Sequence, residues 1–323
     1  PIAVVLNTIL WIPMTLAIVT GFGVVLLGWL EPSLAGVCGW CCDGTFALLQ
    51  AAIDGARRIP GSYFWMPGPA DWWLLGFYCG LGLLAAFPRL RPPRRWCIGL
   101  AAGWVTVGFA VSWLQTEKGK LDCTFLAVDH GCAAVLELPS GAKILYDAGQ
   151  FFSPEAGTQS IAAFLWSRGI FRLDAIVLSH PDADHFNAVP GLLERFSVGA
   201  VYVPPAMFDT PGAAVEALQT AIRGARVPIR EICAGDQLDA DPMCILEVLH
   251  PPRGGTIGST NANSLVLSVE YAGRRILLPG DLERPGLNDV IAEEPRHYDV
   301  LLAPHHGSKW SEPGRLSGWC TPA

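Results

Sequence analysis

The sequence predicts an α/β domain, a sandwich with helices outside, carried behind a set of membrane helices. Three observations predict it. The first is charge distribution in a chain of 323 residues that is 51% hydrophobic. Residues 1–114 hold six Lys or Arg and four Asp or Glu, leaving 16 basic and 25 acidic residues, a net of −9, in residues 115–323. The second is the order of elements after Lys120, where apolar strands come first as hairpins and then interleave with helices. The third is that four of these strands end on aspartate or histidine.

In the membrane region, residues 2–30 carry no charge over 29 positions, and about 20 apolar residues suffice to cross a bilayer. Pro13 is placed to kink that run. Residues 34–53, with Asp43 and many small residues, read as an interfacial helix. Residues 54–71 read as a loop whose Tyr63, Phe64 and Trp65 lie at the membrane surface. Residues 72–87 and 96–114 are two further uncharged runs. The expected spans are therefore about 2–30, 72–87 and 96–114, with 31–71 as an extracytoplasmic loop and interfacial helix. Arg89, Arg91, Arg94 and Arg95 crowd the short loop between the last two spans, which the positive-inside rule places in the cytoplasm. Reading those arginines as a nucleic-acid site is weaker, because a tight hairpin offers little room. The chain is then expected as a multi-pass protein of the inner (plasma) membrane, in contact with lipid, with residues 120–323 outside the cytoplasm.

The ten cysteines form no pair of CxxC motifs that would frame a zinc ribbon. Cys38, Cys41 and Cys42 leave a disulfide open, and most of the thiols read as buried. The chain starts at Pro1 inside an apolar run, without the charged start and cleavage site of a signal peptide, and reads as cut from something longer.

In the acidic part, strands are expected at 123–128, 133–138 and 143–146, with Pro139-Ser140-Gly141 as a turn. A helix follows at 160–166, then a buried strand at 173–178 and a helix from Pro190. A strand at 200–203 and a helix at 213–222 come next. Strands at 244–249, 264–271, 275–278 and 299–303 complete the pattern.

The chemistry sits at the strand ends. His180, Asp182, Asp184 and His185 fall within six residues, directly after the strand at 173–178. A tight turn there can aim several short side chains into one space, and imidazole and carboxylate suit a divalent cation. Taken alone, the stretch reads equally well as a solvated polar turn. Asp147, Asp281 and the pair His305-His306 each follow a further apolar strand, and rigid strands commonly position catalytic loops in this way. Four such ends in one domain favour a metal site.

Asp147, His180-x-Asp182-x-Asp184-His185, Leu278-Pro279-Gly280-Asp281 and His305-His306-Gly307-Ser308 resemble the metallo-β-lactamase fold. More closely, with Asn261-Ala262-Asn263-Ser264-Leu265-Val266-Leu267 and Lys309, they resemble the C-terminal domain of ComEC-type DNA-internalisation competence proteins. The resemblance covers residues 120–312 and, more loosely, the spans. It implies an αββα sandwich with one or two Zn²⁺ or Mn²⁺ ions at its edge. His180 and Asp182 would serve one ion and Asp184 and His185 the other. Asp281 would bridge them, one of His305 and His306 would complete the second site, and Asp147 would brace the ligand turn. Asp184 would be the catalytic residue that orients the attacking water. Two departures weaken the first site: Asp182 stands where many members have a second histidine, and Thr260-Asn261 stands where they have glycine-histidine. His250 reads as a strand-end residue and His297 as a surface residue. His130 reads either as a site-lining or as an ordinary turn histidine.

Seventeen residues follow His306, where the fold normally adds a further strand and helix, so the sandwich is expected to be C-terminally incomplete with an exposed sheet edge. The resemblance implies a membrane protein of DNA uptake with a nuclease-like domain. DNA, single-stranded or duplex, would be its substrate, and other uptake proteins and the remainder of the channel its partners. The acidic balance argues mildly against that, because nucleic-acid surfaces are usually basic. Two alternatives stand beside it: a gating domain that has lost turnover, and a hydrolase of small phosphodiesters or esters.

Overall fold

A computed structural model describes residues 2–62, 65, 70–114, 119–209 and 211–321. The chain divides near residue 66 into two compact units.

In the first unit, α1 (Ile2–Leu27) and α2 (Pro32–Arg57) form a helical hairpin. Small residues bring the two helices together: Ala17 and Ala35 are buried, and Cys42 Sγ reaches the Ala17 carbonyl at 3.5 Å. The α1 helix runs unbroken through Pro13. Where the sequence reads as an interfacial helix, α2 is one continuous helix of 26 residues. Leu6–Leu27 and Pro32–Arg57 are both long and apolar enough to cross a membrane by length and composition. The aromatic loop expected around Tyr63 and Phe64 lies outside the described residues, apart from Trp65.

The second unit begins with α3 (Asp71–Ala86) and α4 (Arg94–Leu114), over the two remaining apolar runs. They are fastened where the Trp73 indole donates to the Trp104 carbonyl at 2.8 Å. All ten cysteines are free thiols, and only Cys233, Cys244 and Cys320 are buried. The expectation of mostly buried thiols fails on the helices, where Cys79 and Cys97 are exposed.

The sandwich follows. Its elements are β1 (Asp122–Phe125), β2 (Ala134–Glu137), β3 (Lys143–Tyr146), α5 (Pro154–Ser167), β4 (Arg172–Leu173), β5 (Ala175–Val177), α6 (Ala183–Phe186) and α7 (Val189–Leu193). Next come β6 (Ser197–Val198), β7 (Val201–Val203), α8 (Ala213–Gly224), β8 (Ile229–Glu231) and β9 (Ile245–His250). The last are β10 (Val266–Tyr271), β11 (Arg274–Leu278), α9 (Gly286–Ile291), β12 (Val300–Leu301) and α10 (Pro313–Cys320). One sheet has six strands in the order β1-β2-β3-β5-β7-β8, the other four in the order β12-β11-β10-β9, and β4 pairs with β6.

Side-chain alternation along each strand builds three apolar layers, because successive residues face opposite sides of a sheet. Val135, Leu145 and Ile176 point to α5, α7 and α8. Their neighbours Leu136, Ile144, Tyr146 and Val177 meet Leu246, Leu267 and Leu278 of the facing sheet. On the far side Val266 and Leu277 pack with Leu287, Val290, Leu316 and Trp319 of α9 and α10. The order is helix, sheet, sheet, helix, so the αββα sandwich holds. The short edge strand β12 exposes Val300, and α10 packs on the outer face of its sheet.

Chain direction positions the site. β3, β5 and β7 run parallel, so the residues after β3 and β5 emerge at one edge. β11 lies in the facing sheet, and Tyr146 at the end of β3 sets its hydroxyl between the Leu265 carbonyl, 2.8 Å away, and the Leu278 carbonyl at the end of β11, 3.0 Å away. Two strand ends from each sheet therefore open onto the same space.

Candidate metal centre

Asp147, the first residue after β3, is fully buried and holds φ at 53°, the left-handed region that non-glycine residues rarely adopt. That turn aims its carboxylate back at the strand beside it. Oδ1 accepts from the Ser179 backbone N–H at 2.7 Å, and Oδ2 from the Ser179 hydroxyl at 2.8 Å. Oδ2 also lies 2.8 Å from His185 Nδ1.

This network fixes the tautomers. Asp147 can only accept, so His185 donates from Nδ1. The Ser179 proton goes to Asp147, so His180 Nδ1, 2.8 Å from Ser179 Oγ, is the donor of that pair. Both histidines then turn Nε2 inward, and both Nε2 atoms are buried without a hydrogen-bond partner. Buried polar atoms are rarely left unpaired. His185 Nε2 lies 3.1 Å from Asp281 Oδ1 but off the hydrogen-bonding direction. His180 Nε2 lies 3.5 Å from Asp182 Oδ2.

Asp281 enters from the other sheet. Gly280 before it holds φ at 55°, and a Cβ there would lie 2.7 Å from Ser179 Cβ, so only glycine lets the two loops approach this closely. His306 Nε2 sits 3.5 Å from Asp184 Oδ2 and 3.7 Å from Asp281 Oδ2. His305 Nε2 is also 3.7 Å from Asp281 Oδ2, but its Nδ1 is taken by Glu283 at 2.6 Å. Both histidines have positive φ, 47° and 52°. Backbone strain of this kind gathers at functional sites.

Ligand-type atoms of His180, His185 and Asp281, and of Asp184, His185 and His306, lie within 4.8 Å of one another. These donors fit a divalent cation, since orphaned imidazole nitrogens face carboxylates in a buried setting. The charges agree. Burial opposes ionisation of Asp281, but His185 and the neighbouring histidines bring its carboxyl down to about 2. Burial also opposes a charge on His185, yet Asp147 and Asp281 lift its proton affinity well above the usual histidine range. A site that holds a proton this strongly offers the same attraction to a cation. Asp182 and Asp184 also sit below the ordinary carboxylate range. In both, burial is outweighed by histidine contacts, to His180 at Asp182 and to His306 and His185 at Asp184.

The structure thus gathers His180, Asp184, His185, Asp281 and His306 in two overlapping groups, with Asp147 behind them. Asp182 is less engaged, being 41% exposed with Oδ1 accepting from Thr260 at 3.0 Å. His130 is exposed and turned to Asp129 and Phe152. His250 lies buried at the end of β9 with Nδ1 at the Ser264 carbonyl, and His297 is exposed with Nδ1 at the Thr321 carbonyl.

Four residues were given no role at the site from the sequence. Ser179 and Thr260 are uncharged and invisible to a search for ligands. Glu283 stands two residues past Asp281, and that spacing on one loop was the available signal. Cys132 Sγ lies near Asp147 and His185, and burial, then the charge of Asp147, pushes the thiol well above its ordinary range.

The chain belongs to the metallo-β-lactamase superfamily, whose family model matches residues 129–312. Residues 1–91 match a second family model, described as competence protein. Over 200 residues the chain is 32% identical to ComE operon protein 3 of Bacillus subtilis, covering 60% of this chain and 25% of that protein. It is 28% identical over 238 residues to competence protein ComA of Neisseria gonorrhoeae, covering 72% of this chain and 30% of that protein. In both parts the chain is similar to ComEC-type competence proteins, and it spans 25% and 30% of the length of these two relatives. Among solved structures, a metallo-β-lactamase of Cronobacter sakazakii aligns with a TM-score of 0.41 and 14% identity, over 66% of this chain and 89% of that one.

Proposed function

We propose that the sandwich is a metal-dependent phosphodiesterase acting on DNA, placed outside the cytoplasm on a multi-pass protein of DNA uptake. The observation that carries the hydrolytic part is the pair of buried, unpartnered Nε2 atoms of His180 and His185, converging with Asp281, Asp184 and His306. DNA as substrate is supported by the competence relatives. The outside placement is supported by Arg89 and Arg91 before α4 and Arg94 and Arg95 in its first turn.

His180, His185 and Asp281 would hold one cation, and Asp184, His185 and His306 would hold it or a second. Zn²⁺ and Mn²⁺ both suit this donor set. Bound there, a divalent cation would supply Lewis-acid stabilisation of charge on a phosphoryl oxygen. The remaining work belongs to the chain. Asp147 keeps both imidazoles turned inward. Asp184, ionised and partly exposed, can accept a proton-side hydrogen bond from the attacking water at Oδ2 and orient it. His306 beside it, raised in proton affinity first by its contact with Asp184, would offer Nε2 to the same cation.

The test is single-stranded DNA cleavage by the full chain in detergent with added Mn²⁺ or Zn²⁺, beside Asp184→Ala and His185→Ala. Metal-dependent cleavage lost in both variants supports the reading; no cleavage with any metal by folded protein ends it. One observation favours a second reading, a gating domain without turnover. Asp182 replaces nitrogen by oxygen at the first position and shares its carboxylate with Thr260. Metal binding without cleavage would select it.

A further inference from the structure

We infer that Phe151, Phe152 and Trp310 form a stacking platform for the bases of a single-stranded nucleic acid lying at the mouth of the metal centre. The inference rests on the phosphodiesterase reading and names how its substrate is held.

Exposure of large apolar side chains on the sandwich is not scattered. Among the described residues from 119 onward, four exceed 60% exposure: Phe151 at 62%, Phe152 and Trp310 at 70%, and Ile257 at 94%. All four lie on loops that carry the site. Ile257 is three residues before Thr260, which holds Asp182. Trp310 is four residues past His306, in the turn capped by Ser308. Phe151 and Phe152 follow Gly149 and Gln150 at the end of the Asp147 loop.

These loops are bolted to the centre. A Cβ on Gly149 would lie 2.3 Å from the Asp184 carbonyl carbon, so the loop backbone rests directly on that residue. Phe151 N–H donates to the His130 carbonyl at 2.6 Å, and Cys132 N–H to the Asp184 carbonyl at 3.1 Å. His306 Nε2 meets Asp184 Oδ2 from the other sheet. The two aromatic loops therefore converge at Asp184. Their rings are prepared: Phe151 and Phe152 stand edge to face at 5.2 Å, His130 meets Phe152 at 5.6 Å, and Lys309 Nζ lies 4.9 Å from the Trp310 ring centre.

Exposed aromatic rings cost free energy in water and mark an interaction surface. A bilayer is the rival occupant, but lipid over these loops would close the centre to a polar substrate. Bases fit better: every base has a π face, stacking tolerates any sequence, and Lys309 beside Trp310 suits a phosphate between stacked bases. The platform also reconciles the net charge of −9 in residues 115–323 with a polyanionic substrate. Affinity drawn from stacking does not need the basic surface that phosphate-driven binding requires.

The test measures binding of a labelled oligothymidylate of about 16 bases to the full chain in detergent with EDTA, so that cleavage is silent. An abasic polymer of equal charge is the comparison. Wild type is expected to prefer the oligothymidylate by tenfold or more. Phe152→Ala and Trp310→Ala should each lose about tenfold, Trp310→Phe should recover most of it, and Phe125→Ala, an exposed aromatic on β1, should change nothing. Affinity should also fall less than tenfold between about 50 and 200 mM salt. Equal binding of the abasic polymer overturns the platform, as do alanine variants that bind DNA like wild type. Alanine variants that lose vesicle binding while keeping DNA binding assign the rings to lipid and overturn it too. Cleavage with Mn²⁺ is read separately: wild type that cuts DNA while the alanine variants bind normally removes the platform and leaves the phosphodiesterase reading intact.

Discussion

His185 Nδ1 lies 2.8 Å from the Asp147 carboxylate, and this contact turns Nε2 of the same ring toward Asp281. Asp147 sits on one strand end and His185 on the turn after the next strand, so adjacent parallel strands set the geometry of the ligand pair.

Asp147→Asn tests that relationship. Asparagine tolerates the positive φ and can still meet Ser179, but it presents an amide where His185 needs a carboxylate. Metal affinity is expected to fall about 10- to 100-fold while the fold survives. Asp147→Ala should lose metal and also stability, since it strands the Ser179 N–H and the His185 Nδ1–H in a buried setting at about 1–3 kcal/mol each. Calorimetric titration with Mn²⁺ beside thermal unfolding separates the two. Asp147→Asn binding metal as tightly as wild type would remove Asp147 from the site.

His305 and His306 should behave unlike each other. His305 commits Nδ1 to Glu283 at 2.6 Å, whereas His306 faces both Asp184 and Asp281. His306→Ala is expected to lose metal affinity by more than about 100-fold, beyond the 10- to 100-fold typical of an outer-shell partner, and His305→Ala to stay within that smaller range. Manganese paramagnetic resonance of the two variants reads this directly. Equal losses would make both histidines ligands.

The strand-end logic was legible because an apolar run followed by aspartate or histidine is visible in one dimension. It singled out Asp147, the turn at 180–185, Asp281 and His305-His306. It could not choose between the two histidines, because the choice depends on backbone at φ 47° and 52° and on Glu283. Thr260 was noted only as standing where a glycine-histidine pair is expected, and its bond to Asp182 across the site was not visible in one dimension. Strand β8 was missed because Ile229–Glu231 has three residues, two of them charged and exposed, with no alternation to detect. The helix at 160–166 was found but begins earlier, at Pro154. Ser153 caps it by accepting from Ala156 N–H, and the pair Ser153-Pro154 was the overlooked start signal. The long helix α2 was read as interfacial because Asp43 and small residues dilute its apolar character, although its length is ample.

Asp241 predicts how stability depends on pH away from the centre. Buried at 5% exposure, it accepts from Ser140 N–H and Met243 N–H, both at 2.7 Å, and so ties the β2–β3 turn to the approach to β9. Burial opposes its charge, but these bonds, led by that to Ser140, keep its carboxyl below the ordinary range. A depressed folded value means that the contribution is complete above the unfolded value of about 3.9 and is lost as pH falls through the folded one. Asp241→Asn should therefore destabilise at pH 7, by about 1–3 kcal/mol, and the gap to wild type should close on acidification below about 3.9. Thermal midpoints at several pH values check it. A gap that widens in acid would contradict the assignment.

Gly149 offers the most direct mechanical test. It does not rely on charge or tautomer. Its Cα rests on the carbonyl of Asp184, and a Cβ would lie 2.3 Å from the carbonyl carbon and 2.4 Å from the oxygen. Both are backbone atoms and cannot rotate aside. Gly149→Ala must therefore shift either the Asp147 loop or the turn bearing Asp184 and His185. Because Ala148 N–H donates to the His185 carbonyl and Ala188 N–H to the Ala148 carbonyl, the two segments would move against their own hydrogen bonds. A displacement of about 1 Å at a catalytic group costs about 100-fold in rate. Gly149→Ala is expected to lose metal-dependent cleavage at least that far, with a lowered thermal midpoint. Gly273→Ala, in the β10–β11 turn with open space around it but φ at 77°, serves as the comparison. It should lower stability through backbone strain and leave metal affinity unchanged. Similar metal affinity in wild type and both variants would mean that the loop and the ligand turn move independently.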